Sequence, residues 1–91
     1  MVCDGGTAGE ARIWREADGP HIDVRSLPPP EPMLAILRLL AASEGEASVM
    51  VHHDREPIYL YPELAEIGWA HEVVEGEPGE VRLRLRPGAV P

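Results

Sequence analysis

The sequence predicts an α+β two-layer sandwich with the element order β-α-β-α-β-β, in which two helices cover one face of a mixed four-stranded sheet. Three observations predict it. Residues 81–86 alternate apolar and arginine side chains, the period of a strand with one buried face. Apolar residues between Met33 and Leu40 recur at the i, i+3, i+4, i+7 spacing of an amphipathic helix. That helix separates two strand-like segments, at 22–27 and 47–53, as a right-handed crossover between parallel strands requires.

The N-terminal part of the chain predicts a tail followed by an additional strand. Residues 1–10 contain three glycines and few apolar side chains, so we expect a disordered tail there, a single domain over 11–87 and a frayed end over 88–91. Ile13 and Trp14 lie between two arginines, and Asp18-Gly19 is a turn signal leading into the next strand. An N-terminal hairpin is therefore expected to add a strand to the sheet.

Prolines mark where the first strand ends and the first helix begins. The run Pro28-Pro29-Pro30-Glu31-Pro32 lacks the backbone donors that a strand ladder needs, but proline suits the first turn of a helix. The helix is expected to start near Pro30 and to end between Ser43 and Gly45.

The rest of the chain predicts a central strand, a short helix and a hairpin. The run Ala47–His53 is rich in β-branched residues and fairly apolar on both faces, which is typical of a central strand. Residues 54–57 interrupt it, and an apolar stripe over 60–67 predicts a short second helix. The segments 69–74 and 81–86, joined by a Gly- and Pro-containing loop, predict the last two strands.

The composition of the chain limits the classes of partner that it can bind. The chain has 91 residues and a net charge of -8, which disfavours nucleic acid and anionic membrane surfaces as partners. No segment reads as a signal peptide or is apolar over the length of a membrane span, so we expect a cytoplasmic protein. Cys3 is the single cysteine and cannot form an internal disulfide.

The segment Asp23-Val-Arg-Ser-Leu-Pro-Pro-Pro-Glu-Pro-Met33 resembles the signature of the TusA/SirA-like proteins, in which Asp-x-Arg-Gly-Leu precedes Cys-Pro-x-Pro at a helix start. The runs 53–57, 60–64 and 80–85 further resemble one branch, the family called domain of unknown function 2249. The resemblance implies the same fold. It places Pro29 where the sulfur carriers have their cysteine and Ser26 where they have glycine. Because proline supplies no thiolate, we expect no sulfurtransferase activity.

The densest group of potential ligands is His52, His53 and Asp54, at the carboxyl end of the central strand. Neighbouring strand residues point to opposite faces, so His53 with Asp54 or Glu56 is the more suitable pair for a transition metal, and His21 or His71 would have to converge from other strands. The alternative interpretation is structural: Asp54 caps the turn and His53 forms a local hydrogen bond.

Two surfaces are candidates for binding. The first is an edge where the helix start meets the turn after the central strand, and the second is a partner or homodimer interface built from exposed apolar and aromatic side chains.

No Gly-x-Ser-x-Gly motif or phosphate loop is present, so we expect a non-catalytic module that binds a protein partner or small ligand without a resident cofactor. The alternatives are a metal-binding protein and a sulfur carrier acting through Cys3. The resembled family occurs beside hemerythrin-like and redox systems, which implies a role in redox or metal homeostasis. The edge comprises Pro29, Pro30, Glu31, Pro32, His53, Asp54, Arg55 and Glu56, and the interface comprises Leu34, Leu39, Tyr59 and Tyr61.

Overall fold

The computed structural model describes residues 11–88, which form a five-stranded sheet and two α-helices. Of the predicted tails, 1–10 and 88–91, all residues but Gly88 lie outside the described part of the chain. A 3₁₀ turn over Ile58–Leu60 precedes the second helix. In chain order the elements are β1 (Arg12–Glu16), β2 (Gly19–Asp23), α1 (Glu31–Ala41), β3 (Val49–His53), α2 (Tyr61–Glu66), β4 (Trp69–Val74) and β5 (Val81–Pro87).

The sheet has the strand order β1-β2-β3-β5-β4, with β3 at its centre. Strands β2 and β3 are parallel and are joined through α1, whereas the other neighbouring pairs are antiparallel. This arrangement confirms the predicted mixed sheet and the strand–helix–strand unit. The N-terminal hairpin is also confirmed, because β1 pairs with β2 along its whole length.

The hydrophobic core lies between one face of the sheet and the helices. Ile22, Val51 and Leu83 are fully buried on neighbouring strands, and Ile36 of α1 and Leu64 of α2 belong to the same cluster. Each such side chain contributes about 1.5–3 kcal/mol when it leaves water. We call the other surface of the sheet the open face, because no helix of residues 11–88 contributes to a core there.

The bounds of three predicted elements are wrong. The helix α1 ends at Ala41 rather than between Ser43 and Gly45, because the Ser43 hydroxyl donates to the Leu39 carbonyl and the backbone closes with tighter turns from Ala42 onward. The strand β2 spans Gly19–Asp23 rather than 22–27, because the Leu27 backbone N–H donates to the Val24 carbonyl and closes a turn there. The strand β3 begins at Val49 rather than Ala47. Neither helix in residues 11–88 is long and apolar enough to cross a membrane.

Candidate functional site

A chain of four hydrogen-bonded side chains crosses the open face. Nδ1 of His21 on β2 lies 2.9 Å from Nε2 of His52 on β3, so the two rings share a hydrogen. Nε2 of His21 lies 2.8 Å from Oδ1 of Asp18, and Nδ1 of His52 bonds to the carboxylate of Glu80. His21 and His52 are buried, with 5% and 8% of their surface exposed. The network around these two imidazoles joins more side chains by hydrogen bonds than any other network in residues 11–88.

Strand register explains how residues 31 positions apart meet. Parallel pairing sets His52 opposite Asp23 and Met50 opposite His21, so the two histidines are diagonal neighbours on one face. Trp14 of β1 is the cross-strand partner of His21, and its ring stacks on both imidazoles with centroids 5.3 and 5.2 Å away. The indole therefore covers the histidine pair.

Glu80 is fixed at one end of the chain by four donors. Its carboxylate accepts hydrogen bonds from Nε and Nη2 of Arg82 at 3.3 and 3.0 Å, from the Glu77 backbone N–H at 2.8 Å and from His52. Burial of this side chain raises its pKa, but the bonds from Arg82, Glu77 and His52 outweigh burial and lower the pKa of Glu80 to about 2. Glu80 is therefore an anion at neutral pH.

The other end of the chain holds two carboxylates in the β1–β2 hairpin. Oε1 of Glu16 lies 3.8 Å from Nε2 of His21, on which Asp18 also converges. The close contact with the His21 ring lowers the pKa of Asp18. Among residues 11–88, Glu16, Asp18 and His21 are the one group of three metal-ligating residues whose ligand atoms come within 4.8 Å of one another.

A polar cavity of about 470 Å³ opens beside His52 on the same face. Three guanidinium groups, from Arg12, Arg25 and Arg82, stand in its wall. Arg12 lies over the ring of Trp14, with Cζ 5.5 Å from the ring centroid. The remaining lining residues are Asp23, Glu77, Pro78 and Glu80.

The predicted binding edge is organised differently. His53 is buried, with 3% of its surface exposed, and its Nδ1 accepts a hydrogen bond from the Asp54 backbone N–H at 2.9 Å. Oδ1 of Asp54 also lies 3.1 Å from Nδ1, but the backbone N–H groups of Asp54 and Arg55 both point at this nitrogen, so the hydrogen of the neutral ring is on Nε2, which is buried without a partner among the described residues. Burial lowers the pKa of His53, although Asp54 acts in the opposite direction. The structure thus places His53 in the local hydrogen bond of the alternative interpretation.

The other residues of that edge are mostly exposed. Asp54 and Arg55 pair at 3.3 Å, and the Tyr61 hydroxyl donates to Glu56 at 3.0 Å, where burial and that carboxylate raise the pKa of Tyr61 to about 12. Pro32 is buried in the first turn of α1. No hydrogen bond in the described structure joins the helix start to the turn after β3. The helix-start residues exposed to solvent are Pro29, Pro30 and Glu31.

The structure does not bring His52, His53 and Asp54 together as one ligand set. His52 bonds across the open face, whereas His53 lies on the core face beside Val51. His71 stacks on Tyr61 of α2 with ring centroids 3.5 Å apart. Of the histidines considered as additional ligands, His21 alone converges with His52.

The predicted interface is only partly exposed. Leu34 and Tyr59 have 46% and 42% of their surface exposed, whereas Leu39 packs against the core and Tyr61 stacks on His71. Leu34 lines a groove of about 430 Å³ between α1 and β1.

Sequence reasoning missed Trp14, Asp18 and Glu80 as site residues. Alternation placed His52 on the face opposite the helix-facing residues of β3, so the open face was recoverable from sequence. The hairpin register that sets Trp14 over His21 was not, because it depends on strand pairing. Glu80 belongs to a loop whose carboxylates looked equally solvated.

A family model described as "Uncharacterized conserved protein (DUF2249)" matches residues 21–87. That range contains both histidines of the chain across the open face and Glu80, whereas β1 and Asp18 precede it. Neither the curated proteins nor the solved structures contain a match to this chain.

Proposed function

Because this chain belongs to the uncharacterized conserved family DUF2249, whose description assigns no chemistry, we propose its function from the site itself: a non-catalytic module that binds a small organic anion on the open face. The observation that supports this proposal is the cavity of about 470 Å³ whose wall presents Arg12, Arg25 and Arg82 beside the Trp14–His52 stack.

Hydrogen-bond capacity in the wall favours a ligand that carries acceptor oxygens. Arg25 donates from Nε and Nη2 to Asp23, and Arg82 does the same to Glu80. A guanidinium has five N–H donors, so each of these two arginines keeps donors for a ligand. The carboxylates of Asp23 and Glu80 already accept several bonds each. Glu77 adds a third carboxylate to the wall, but the three guanidinium groups together keep more free donors than the three carboxylates keep free acceptor sites, which suits a ligand that carries a carboxylate.

The indole of Trp14 supplies the apolar side of the same cavity. A planar group can stack on an aromatic ring while its carboxylate reaches the guanidinium groups. The net charge of -8 opposes anions at long range, so recognition depends on short directed hydrogen bonds rather than on steering. An aromatic carboxylate is thus the ligand class that combines both features.

The proposal also includes the type of scaffold and the cellular location of the protein. A TusA-like scaffold with Pro29 in place of the sulfur-carrier cysteine would keep the fold while losing the thiol chemistry. A chain with a single cysteine has no internal disulfide to lose in the reducing cytoplasm, where we place it. The role would be supportive, in redox or metal homeostasis, as the family resemblance implies.

Titration of the tag-free protein with benzoate, followed by two-dimensional NMR, tests the proposal. We expect saturable shifts of Trp14, Arg25 and Arg82, with a Kd on the order of 1 mM, as suits a ligand of about nine heavy atoms. Arg82→Gln should weaken binding about tenfold or more, because it removes a charge-assisted donor.

Arg86→Gln is the matched control, because Arg86 lies on the same strand and face but pairs with Glu72 at 3.1 Å outside the cavity. It should bind benzoate like the native chain. Shifts confined to other surfaces, or an equal loss of affinity in both variants, would contradict a site in this cavity.

A second candidate function is protein recognition by the edge of exposed prolines and the turn after β3. The observation that favours it is the buried Nε2–H of His53, which has no hydrogen-bond partner among residues 11–88, a cost of about 1–3 kcal/mol that a binding partner could remove by rearranging the turn. Hydrogen exchange of residues 53–56 tests it: a partner at this edge slows exchange there, whereas benzoate does not.

A further inference from the structure

The hydrogen-bond chain across the open face fixes where its hydrogens lie. Glu80 is a buried carboxylate that other donors already hold as an anion, so Nδ1 of His52 must donate to it. In a neutral ring, Nε2 of His52 is then an acceptor. Nδ1 of His21, 2.9 Å away, must carry the shared hydrogen.

This assignment of hydrogens leaves a lone pair on Nε2 of His21, at the end of the hydrogen-bond chain opposite Glu80. With Nδ1 protonated, Nε2 of neutral His21 is an acceptor, yet it faces Oδ1 of Asp18 at 2.8 Å and Oε1 of Glu16 at 3.8 Å. Three acceptors converge there. Such an arrangement is satisfied only when a cation, either a proton or a metal ion, stands among them.

We propose that Nε2 of His21, Oδ1 of Asp18 and Oε1 of Glu16 form a binding site for a divalent transition metal ion. One imidazole and two carboxylates are a donor set that suits Zn²⁺, Mn²⁺ or Co²⁺, with remaining positions filled by water. Ligand atoms around tetrahedral zinc are about 3.3 Å apart, so the distances of Asp18 and Glu16 from Nε2 of His21, 2.8 and 3.8 Å, each differ from that spacing by about 0.5 Å. The side chains of Asp18 and Glu16 are 51% and 54% exposed and can adjust by that amount.

Each ligand is already oriented by a second contact. Nε1–H of Trp14 donates to Oε2 of Glu16 at 2.7 Å, which leaves Oε1 for the ion. His52 holds the other nitrogen of His21, in the arrangement that supports metal-bound histidines in proteins. The Asp18 carbonyl accepts from the Ser48 hydroxyl at 3.2 Å, which ties the turn to the strand β3.

The backbone of the β1–β2 hairpin is suited to a close approach to Ser48, the residue before β3. Gly19 has φ +119°, and a Cβ at that position would lie 2.8 Å from the Ser48 carbonyl oxygen. A side chain there would push the turn away from β3. The site therefore belongs to a hairpin held at a fixed distance from the centre of the sheet. It lies at the opposite end of the hydrogen-bond chain from Glu80, so it does not depend on the binding of an organic anion.

Zinc titration of the tag-free protein by calorimetry, with Mn²⁺ line broadening in NMR spectra, tests the site. We expect saturable binding of a single equivalent of zinc, and Mn²⁺ should first broaden the resonances of residues 16–21. Asp18→Asn and Glu16→Gln, both at exposed side chains, should each weaken zinc binding by about tenfold or more.

Asp54→Asn is the matched control, because Asp54 is the carboxylate beside the other buried histidine, His53. It should bind zinc like the native chain. Failure of zinc to saturate the native protein below about 1 mM would overturn the site. So would broadening centred on residues 52–54, or loss of zinc in Asp54→Asn alone. The broadening is measured on the native chain, so the result stands even where a variant folds poorly.

Discussion

The helix-start edge and the open face contain similar side chains, yet they use them differently. At the edge, the His53 ring accepts a hydrogen bond from the backbone N–H of the next residue, Asp54, and the carboxylates of Asp54 and Glu56 are exposed. On the open face, His52 connects β2, β3 and the residue before β5 through bonds to His21 and Glu80. Two adjacent histidines thus have opposite roles. Connection across strands, rather than local density of polar residues, distinguishes a candidate site from a polar turn.

Removing a carboxylate from each region should give the largest contrast. Glu80→Ala leaves Arg82 and His52 without their acceptor and should lower the free energy of unfolding by about 2–3 kcal/mol, below the range for fully buried pairs because Arg82 is partly exposed. Glu56→Ala removes an exposed acceptor of Tyr61 and should cost less than about 1 kcal/mol. Urea unfolding measures both, and equal costs would erase the distinction.

Two glycines, one in the β1–β2 hairpin and one in the connection from α1 to β3, should differ next. Gly19→Ala places a Cβ against the Ser48 carbonyl at positive φ and should cost about 1–3 kcal/mol. Gly45→Ala, at φ +93° but with no atom of residues 11–88 within 4 Å of the new Cβ, should cost only the conformational strain, about 1 kcal/mol. Thermal unfolding of the two variants checks the order. A smaller effect at Gly19 would mean that the hairpin is not held against β3.

A double-mutant cycle sharpens the comparison of the histidines. His21→Phe and His52→Phe keep rings that can stack on Trp14 but remove the shared hydrogen. We expect a coupling energy of about 1 kcal/mol between them in urea unfolding. His53→Phe combined with His21→Phe should be additive within about 0.5 kcal/mol, because these side chains share no partner. Additivity of the first pair would contradict a connected chain.

The pH dependence of stability should show the smallest effect. Burial lowers the pKa of His53 in the folded state, while the unfolded value is about 6.5. The unfolded chain therefore takes up a proton first, and stability falls as the pH decreases below about 6.5. His53→Leu should flatten this slope between pH 7 and 5. Asp54→Asn removes a neighbour that raises the pKa of His53, so it should steepen the slope. Unfolding at several pH values measures both, and an unchanged slope in His53→Leu would contradict this assignment.

Much of the fold follows from local patterns. Alternation in β5, the apolar stripe of α1 and the prolines before it are properties of neighbouring residues, and each predicted an element that the structure contains. The end of α1 escaped prediction because a Ser43 side chain competes for a backbone carbonyl. Local propensity does not include that competition.

The candidate site was less predictable than the fold. His52 was predicted as a candidate site residue, but its partners depend on the register of β2 against β3 and of β1 against β2. A shift of one residue in either pairing would move Trp14 or His21 to the core face. Asp18 looked like a turn residue and Glu80 like a solvated one, because the two buried imidazoles that they contact are brought together only by strand pairing.

Imidazole ¹⁵N NMR of the native chain at pH 7 tests most directly whether His21 and His52 form one directed hydrogen-bond chain from Glu80. We expect His52 to carry its hydrogen on Nδ1 and His21 to share a hydrogen with it through its own Nδ1. His53 should show the opposite tautomer, with its hydrogen on Nε2. A His52 ring protonated on Nε2 with a free Nδ1 would contradict this hydrogen-bond chain.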